Sequence, residues 1–168
     1  MRIGDVSFWY ADIGMPTRRP GLDGDTTADV AIIGAGYTGL WTAHYLKQAQ
    51  PDLKVIVLEK EFAGFGASGR NGGWLMGTFA WNHARYAKAS SRAAVLDMVK
   101  ALEGTVDEVI AVCEAEGIDA DIRRVDELCV ATHPAHMERL RASVAHHAQW
   151  GEGHRTREIS REEALSRI

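Results

Sequence analysis

Cysteine is scarce. Only Cys113 and Cys129 occur among 168 residues, and their spacing matches neither a metal knuckle nor a C-x-x-C redox pair. Cys113 falls in a predicted helix and Cys129 in a predicted strand, so both are expected as buried free thiols rather than as a disulfide. No apolar run approaches the ~20 residues needed to cross a bilayer. The opening Met1-Arg2-Ile3-Gly4-Asp5 also lacks the apolar core of a signal peptide. A cytoplasmic protein with no membrane partner is expected. Positive charge is not in surplus either: 19 Lys and Arg against 23 Asp and Glu leave a formal net charge of −4, with the two signs interspersed. That excludes the basic stripe of a nucleic-acid binder. Seven histidines are present, yet no H-E-x-x-H or Cys/His pairing organises them, and the adjacent His146 and His147 point to different sides of a helix. No metal site is expected. Ser68 is not a hydrolase nucleophile, because the G-x-S-x-G pattern is not met and no strand feeds it.

What is present is concentrated in residues 28 to 59, ADVAIIGAGYTGLWTAHYLKQAQPDLKVIVLE. Val30 to Ile33 are β-branched or small and read as a buried parallel strand. Gly34, Gly36 and Gly39 follow in a G-x-G-x-x-G pattern. The first permits a tight turn, the second lets backbone approach a pyrophosphate, and the third lets a helix pack closely on the strand. The helix that follows, beginning at Tyr37 and Thr38, aims its N-terminus at the phosphates, where free N–H groups and the helix dipole attract an anion. A second apolar strand, Val55 to Leu58, ends on Glu59, 20 positions beyond Gly39. A carboxylate there accepts hydrogen bonds from both ribose hydroxyls and repels a 2′-phosphate.

A second match to the same glycine pattern, Gly64-Phe65-Gly66-Ala67-Ser68-Gly69, has no β-branched run leading into it. Arg70-Asn71-Gly72-Gly73 then follows, which breaks a first helical turn because glycine is a poor helix former by about 1 kcal/mol per residue. It is therefore not a second dinucleotide fingerprint. Its position directly after the ribose acid suits a loop that lies flat against a cofactor and donates backbone N–H groups to it.

The runs AIIGAGYTGLWTAHYLK and VIVLEKEFAGFGASGRNGGW resemble the N-terminal part of the FAD-dependent oxidoreductases of the D-amino-acid-oxidase-like superfamily, the group that includes glycine, sarcosine and γ-glutamylputrescine oxidases. The G-A-S-G-R-N-G-G segment is the more specific part and is most like the γ-glutamylputrescine oxidase branch, as is the opening Ser7-Phe8-Trp9-Tyr10. The resemblance implies a Rossmann-like α/β fold binding FAD, with its pyrophosphate at Gly34, Gly36, Tyr37, Thr38 and Gly39. It implies the adenosine ribose at Glu59 and Lys60, and a loop of Ala67, Ser68, Arg70, Asn71, Gly72 and Gly73 along the pyrophosphate toward the flavin. Such enzymes oxidise the C–N bond of an amine or amino acid to an imine and pass the electrons to O2, giving H2O2. The family is more than twice as long, and its substrate-gripping residues lie mostly in the C-terminal half, so no catalytic residue is carried over. A second reading is an NAD-dependent dehydrogenase fragment or a non-catalytic dinucleotide-binding module.

Around this unit the organisation reads as an arm and linker over 1–27, a dinucleotide-binding portion over 28–90, and a helix with part of a substrate domain over 91–168. The arm holds Pro16, Pro20 and several glycines, with Trp9 and Tyr10 positioned to dock. Residues 74 to 89 show no clean period and read as an irregular connection carrying Trp81, His83, Arg85 and Tyr86. From Ser91 a long helix is expected, with Val95, Val99, Leu102, Val106, Val109 and Cys113 on one buried face and Gly117 as its stop. Ala120 to Thr132 reads as a strand pair, Pro134 as a helix start running to about Trp150, and Ser160 to Glu163 as a capping box. In the resembled family this β–β–α succession would be the start of an α+β substrate domain. A final helix of barely two turns is marginal alone, so the chain is expected to be a fragment.

Overall fold

Parallel strands cannot be joined by a tight turn, so the chain between the first two apolar runs has to cross over, and it does so as a helix. The computed structural model describes residues 7–78 and 82–168. These fall into two compact units, Met1–Trp74 and Leu75–Ile168.

The first unit contains α1 (Phe8–Ile13), β1 (Val30–Ile33), α2 (Tyr37–Ala49), β2 (Val55–Leu58) and a short 3₁₀ turn at Ala67–Gly69. β1 and β2 pair in parallel, with Val30 opposite Val55 and Ile33 opposite Leu58. The Asp29 carboxylate accepts the Lys54 N–H at 2.8 Å and fastens the two strand starts. At the C-terminus of α2 the Lys47 ammonium donates to the carbonyls of Pro51 and Leu53, a cation at the negative end of the helix dipole. α2 packs on β1 and β2. The strands are not buried as expected: Ile33 is 89% exposed and Ala31 is exposed. α2 covers one face of the two-stranded sheet, and no second helix layer among the described residues of this unit covers the other. The arm also differs from an extended linker at its start. Ser7 Oγ accepts the Tyr10 N–H and caps α1, which ends at Gly14 with φ 82°; residues 14–28 then run without helix or strand.

The second unit is helical: α3 (His83–Ala89), α4 (Arg92–Ala115), α5 (Pro134–Gln149) and α6 (Arg161–Leu165). Part of the expected irregular connection is therefore a helix, because Asn82 Oδ1 accepts the Arg85 N–H at 3.0 Å and nucleates α3. Trp81 lies outside the described residues. Ser91 caps α4 as expected. Both long helices end in the same backbone motif: Ile118 N–H donates to Cys113 O and Gly117 N–H to Glu114 O, while Glu152 N–H donates to His147 O and Gly151 N–H to Ala148 O. Gly117 and Gly151 supply the positive φ this stop requires, at 64° and 84°. Pro134 opens α5 and Ser160 Oγ accepts the Glu163 N–H at the start of α6. The Glu163 carboxylate pairs with Arg157 and Arg167.

Only the N-terminal part of the α4 stripe is deeply buried, at Val95 and Val99; Leu102, Val106, Val109 and Cys113 are half-buried. The strand pair expected over Ala120 to Thr132 is not formed: the stretch has no regular structure and is almost wholly exposed. A short stretch of strand-forming residues makes a strand only where an edge takes up its N–H and C=O groups, and no strand is present among the described residues of this unit. Cys129 accordingly is exposed, not buried, and both cysteines are free. No helix among the described residues is long and apolar enough to cross a membrane.

The densest point of this unit is polar. Trp150 is 5% exposed, with the His83 ring stacked on it at 5.1 Å and the Arg92 guanidinium over it at 4.9 Å. His83 Nε2 lies 3.2 Å from the buried Glu152 carboxylate, and His83 Nδ1 lies 3.1 Å from His146 Nε2. Arg155 approaches Glu152 at 3.7 Å and donates to Gly77 O at 3.0 Å. Burial pushes the His83 imidazole below its ordinary 6.5; Glu152 opposes this, and His146 and His147 add to it. The unfolded chain then takes up the proton more readily than the folded one, so stability is lost as pH falls from 6.5 toward the lower folded value. Thermal unfolding followed between about pH 7.5 and about pH 5 is predicted to show a falling midpoint that flattens in His83→Gln. An unaltered pH slope in that variant would place the acid sensitivity elsewhere.

Candidate functional site

The end of β1 turns sharply because Gly34 takes φ 98°, a conformation L side chains rarely adopt. Its N–H donates to Leu58 O at 2.7 Å, which extends the β ladder into the turn. The next N–H, of buried Ala35, donates to Glu59 Oε2 at 2.9 Å. Glu59 Oε1 accepts the Glu61 N–H at 3.1 Å. The carboxylate is therefore held by two backbone donors at the tip of β2, where it remains exposed. A carboxylate has about four lone-pair sites, so acceptor capacity is left for hydroxyl donors.

The other two glycines are required by contact. A Cβ at Gly39 would overlap Gly34 O and reach 3.3 Å from Ile32 Cγ2, so the third glycine is what seats α2 on β1. A Cβ at Gly36 would stand 2.9 Å from Ser68 Oγ. The surface there is bare backbone at the N-terminus of a thirteen-residue helix; Gly36 has no side chain to cap it, and Ser68 Oγ accepts the Tyr37 N–H at 3.0 Å.

That contact brings the second glycine cluster onto the first. Gly64 N–H donates to Ala35 O at 2.9 Å, which fixes the start of the loop beside the turn. Asn71 Nδ2 reaches Ala67 O, Ser68 O and the Tyr37 hydroxyl at 3.0, 3.2 and 3.2 Å. Gly34, Gly36, Tyr37, Gly39, Glu59, Ala67, Ser68 and Asn71 are thus assembled in one place. Arg70 is directed elsewhere: its Nε donates to Phe65 O and its guanidinium lies 5.5 Å from the Phe65 ring centre. Thr38, Lys60, Gly72 and Gly73 are near in sequence and exposed, with Thr38 O taken by the Thr42 hydroxyl and Gly73 at φ 93° against the Trp9 ring.

Pattern reading missed Ala35 and Gly64, whose roles are backbone hydrogen bonds that leave no side-chain signature. Trp9 and Tyr10 dock as expected: Trp9 Nε1 donates to Asn71 O at 2.6 Å and the Tyr10 hydroxyl to Gly64 O at 2.8 Å.

The chemistry of this donor set fits a dinucleotide. Backbone N–H groups at a helix start suit a pyrophosphate, side chain-free surface at Gly36 lets it come close, and an exposed, pre-positioned carboxylate suits a ribose diol. Among the described residues no group of three His, Cys, Asp or Glu is arranged to hold a metal ion.

Comparison with known proteins agrees. Residues 29–168 match the model of the DAO family, FAD dependent oxidoreductase. Over 59 residues the chain is 49% identical to gamma-glutamylputrescine oxidoreductase of Escherichia coli (strain K12), covering 35% of this chain and 13% of that protein. Over 73 residues it is 42% identical to the probable oxidoreductase OrdL of Haemophilus influenzae, covering 44% and 16%. A thiamine thiazole synthase of Sclerotinia sclerotiorum is 46% identical over 63 residues, covering 36% and 18%. The matched stretches therefore span less than a fifth of each relative's length. No solved structure matches the chain. With the family model matched from Asp29 to Ile168, the chain belongs to the DAO family of FAD-dependent oxidoreductases.

Proposed function

We propose that this chain is the cofactor-holding part of an enzyme that oxidises the C–N bond of a small amine or amino acid to an imine, with O2 as acceptor and H2O2 as second product. The observation that carries the reading is the Glu59 carboxylate, fastened to the Ala35 N–H at 2.9 Å and still exposed, beside a helix start covered by the second glycine loop. The relative named gamma-glutamylputrescine oxidoreductase supports an amine as the substrate class. In this reading residues 1–27 are an arm, 28–90 the FAD-binding portion and 91–168 the beginning of the substrate domain.

Gly34, Gly36, Tyr37, Thr38 and Gly39 would receive the pyrophosphate through backbone N–H groups, and Glu59 the adenosine ribose hydroxyls, with Lys60 alongside. Ala67, Ser68, Arg70, Asn71, Gly72 and Gly73 would cover the pyrophosphate from the other side. Bound FAD supplies a two-electron acceptor that O2 reoxidises. The residues of this chain bind and orient it. They also shield the phosphates from water, since the loop lies across the helix start. Ser68 Oγ, which accepts the Tyr37 N–H, would hold this loop against the helix start.

Glu59→Ala is predicted to weaken FAD binding by about 1.5–3 kcal/mol, the scale of a hydrogen bond to a charged group, or roughly ten- to 150-fold in Kd. Turnover at saturating FAD should change little. Full FAD occupancy with lost turnover would remove Glu59 from the ribose site. For the reaction itself, a peroxide-coupled assay of the intact enzyme across primary amines, secondary amines and amino acids should give H2O2 with at least one class. Substrate-driven flavin reduction with no peroxide under air would instead point to a dehydrogenase with another acceptor.

A further inference from the structure

The arm is tied to the glycine loop at both of the loop's ends. Near its start, the Tyr10 hydroxyl donates to Gly64 O at 2.8 Å. The Tyr10 ring is 8% exposed and meets the Phe62 ring edge-to-face at 5.2 Å. Gly69 passes so close that a Cβ there would overlap both the Tyr10 hydroxyl and Gly64 O. Near the loop's end, Trp9 Nε1 donates to Asn71 O at 2.6 Å, and a Cβ on Gly73 would lie 3.5 Å from the Trp9 ring. Between these anchors sit Ser68, which reaches the Tyr37 N–H, and Asn71, whose side chain ties Ala67 O and Ser68 O to the Tyr37 hydroxyl.

A loop with glycine at 64, 66, 69, 72 and 73 has little conformational preference of its own. Its internal bonds, Gly69 N–H to Gly66 O and Arg70 N–H to Ala67 O, close one short turn and do not set where that turn sits. The bonds that set its place are Gly64 N–H to Ala35 O, the Ser68 cap, Asn71 Nδ2 to the Tyr37 hydroxyl, and the two donors from α1. Two of these five fixings come from residues more than fifty positions away in sequence.

We propose that Trp9 and Tyr10 are positioning residues for FAD: α1 latches the Gly64 to Gly73 loop over the start of α2, and the latch sets how tightly the cofactor is held. The inference rests on the FAD reading above. Neither side chain touches the helix start itself. Each acts through the backbone of the loop, so the cost of ordering that loop is met before the cofactor arrives.

The test compares the intact protein with Trp9→Phe and Tyr10→Phe, which keep an aromatic ring at each position and remove the N–H and O–H donors, and with Ile13→Ala, a 72% exposed position on the same helix. FAD affinity is measured by quenching of flavin fluorescence on titration into apoprotein, and FAD release by the return of that fluorescence on dilution. In the apoprotein, trypsin cleavage after Arg70 is followed by mass spectrometry, and the unfolding midpoint is recorded. Each Phe variant is expected to raise Kd and the release rate roughly three- to tenfold and to speed cleavage after Arg70. The unfolding midpoint should hold close to wild type, and Ile13→Ala should match wild type throughout. A purely structural role would lower the midpoint and leave the Kd of folded protein unchanged; that result, or wild-type FAD affinity and cleavage in both Phe variants, overturns the latch. If wild-type apoprotein itself fails to bind FAD, the FAD reading fails, and the latch with it.

Discussion

A single hydrogen bond joins the parts on which the rest of the first unit depends: Ala35 N–H to Glu59 Oε2 at 2.9 Å. Ala35 belongs to the turn leaving β1, and Glu59 directly follows the last pair of the register, Ile33 with Leu58. A buried backbone N–H left without a partner is costly, and in this turn the acceptor is a charged carboxylate, which makes the bond stronger than a neutral one. The same bond aims the carboxylate. The residue that satisfies the turn is therefore also the residue placed to meet a diol. Ala35 contributes a second time through its carbonyl, which accepts the Gly64 N–H at 2.9 Å and so sets where the second glycine loop begins.

The parts of the fold legible in sequence were those with local causes. The G-x-G-x-x-G spacing, the caps at Ser91 and Ser160, the stop at Gly117 and the start at Pro134 all act over one turn of chain. The structure places each within a residue or so of where its chemistry points. What was not legible depended on partners distant in sequence or absent from the described residues. The Ala120 to Thr132 stretch read as a strand pair, yet no strand among the described residues of its unit receives it. A β-branched run at Val30 to Ile33 suggested burial on both faces, yet among the described residues of this unit no second helix layer joins α2 in covering it and Ile33 stands 89% exposed. The helix α3 was hidden because His83 to Ala89 has little apolar period; its Asn82 cap was the available signal.

The site was legible in its residue types more than in its connections. Glycine at 34, 36 and 39 and the acid at 59 follow from how backbone meets phosphate and how a carboxylate meets a ribose. That the loop of Ala67 to Gly73 folds back onto Tyr37 follows from Ser68 and Asn71, two short polar side chains whose reach is set only by the tertiary path. Arg70, the one cation in that loop, turns toward Phe65, an orientation no spacing rule contains. The relatives frame the same boundary. The relatives that share 59 and 63 residues with it are named as an oxidoreductase and as a thiamine thiazole synthase, so this likeness does not single out one reaction.

The central claim is that the Gly34 to Gly39 turn, Glu59 and the Ala67 to Gly73 loop together hold FAD. The most direct test is the absorption spectrum of the purified protein, recorded after incubation with FAD and gel filtration, with a parallel NADH fluorescence titration. The account predicts a yellow protein whose flavin bands co-elute with it near one FAD per chain, and no saturable NADH signal. A colourless protein with saturable NADH binding would contradict it.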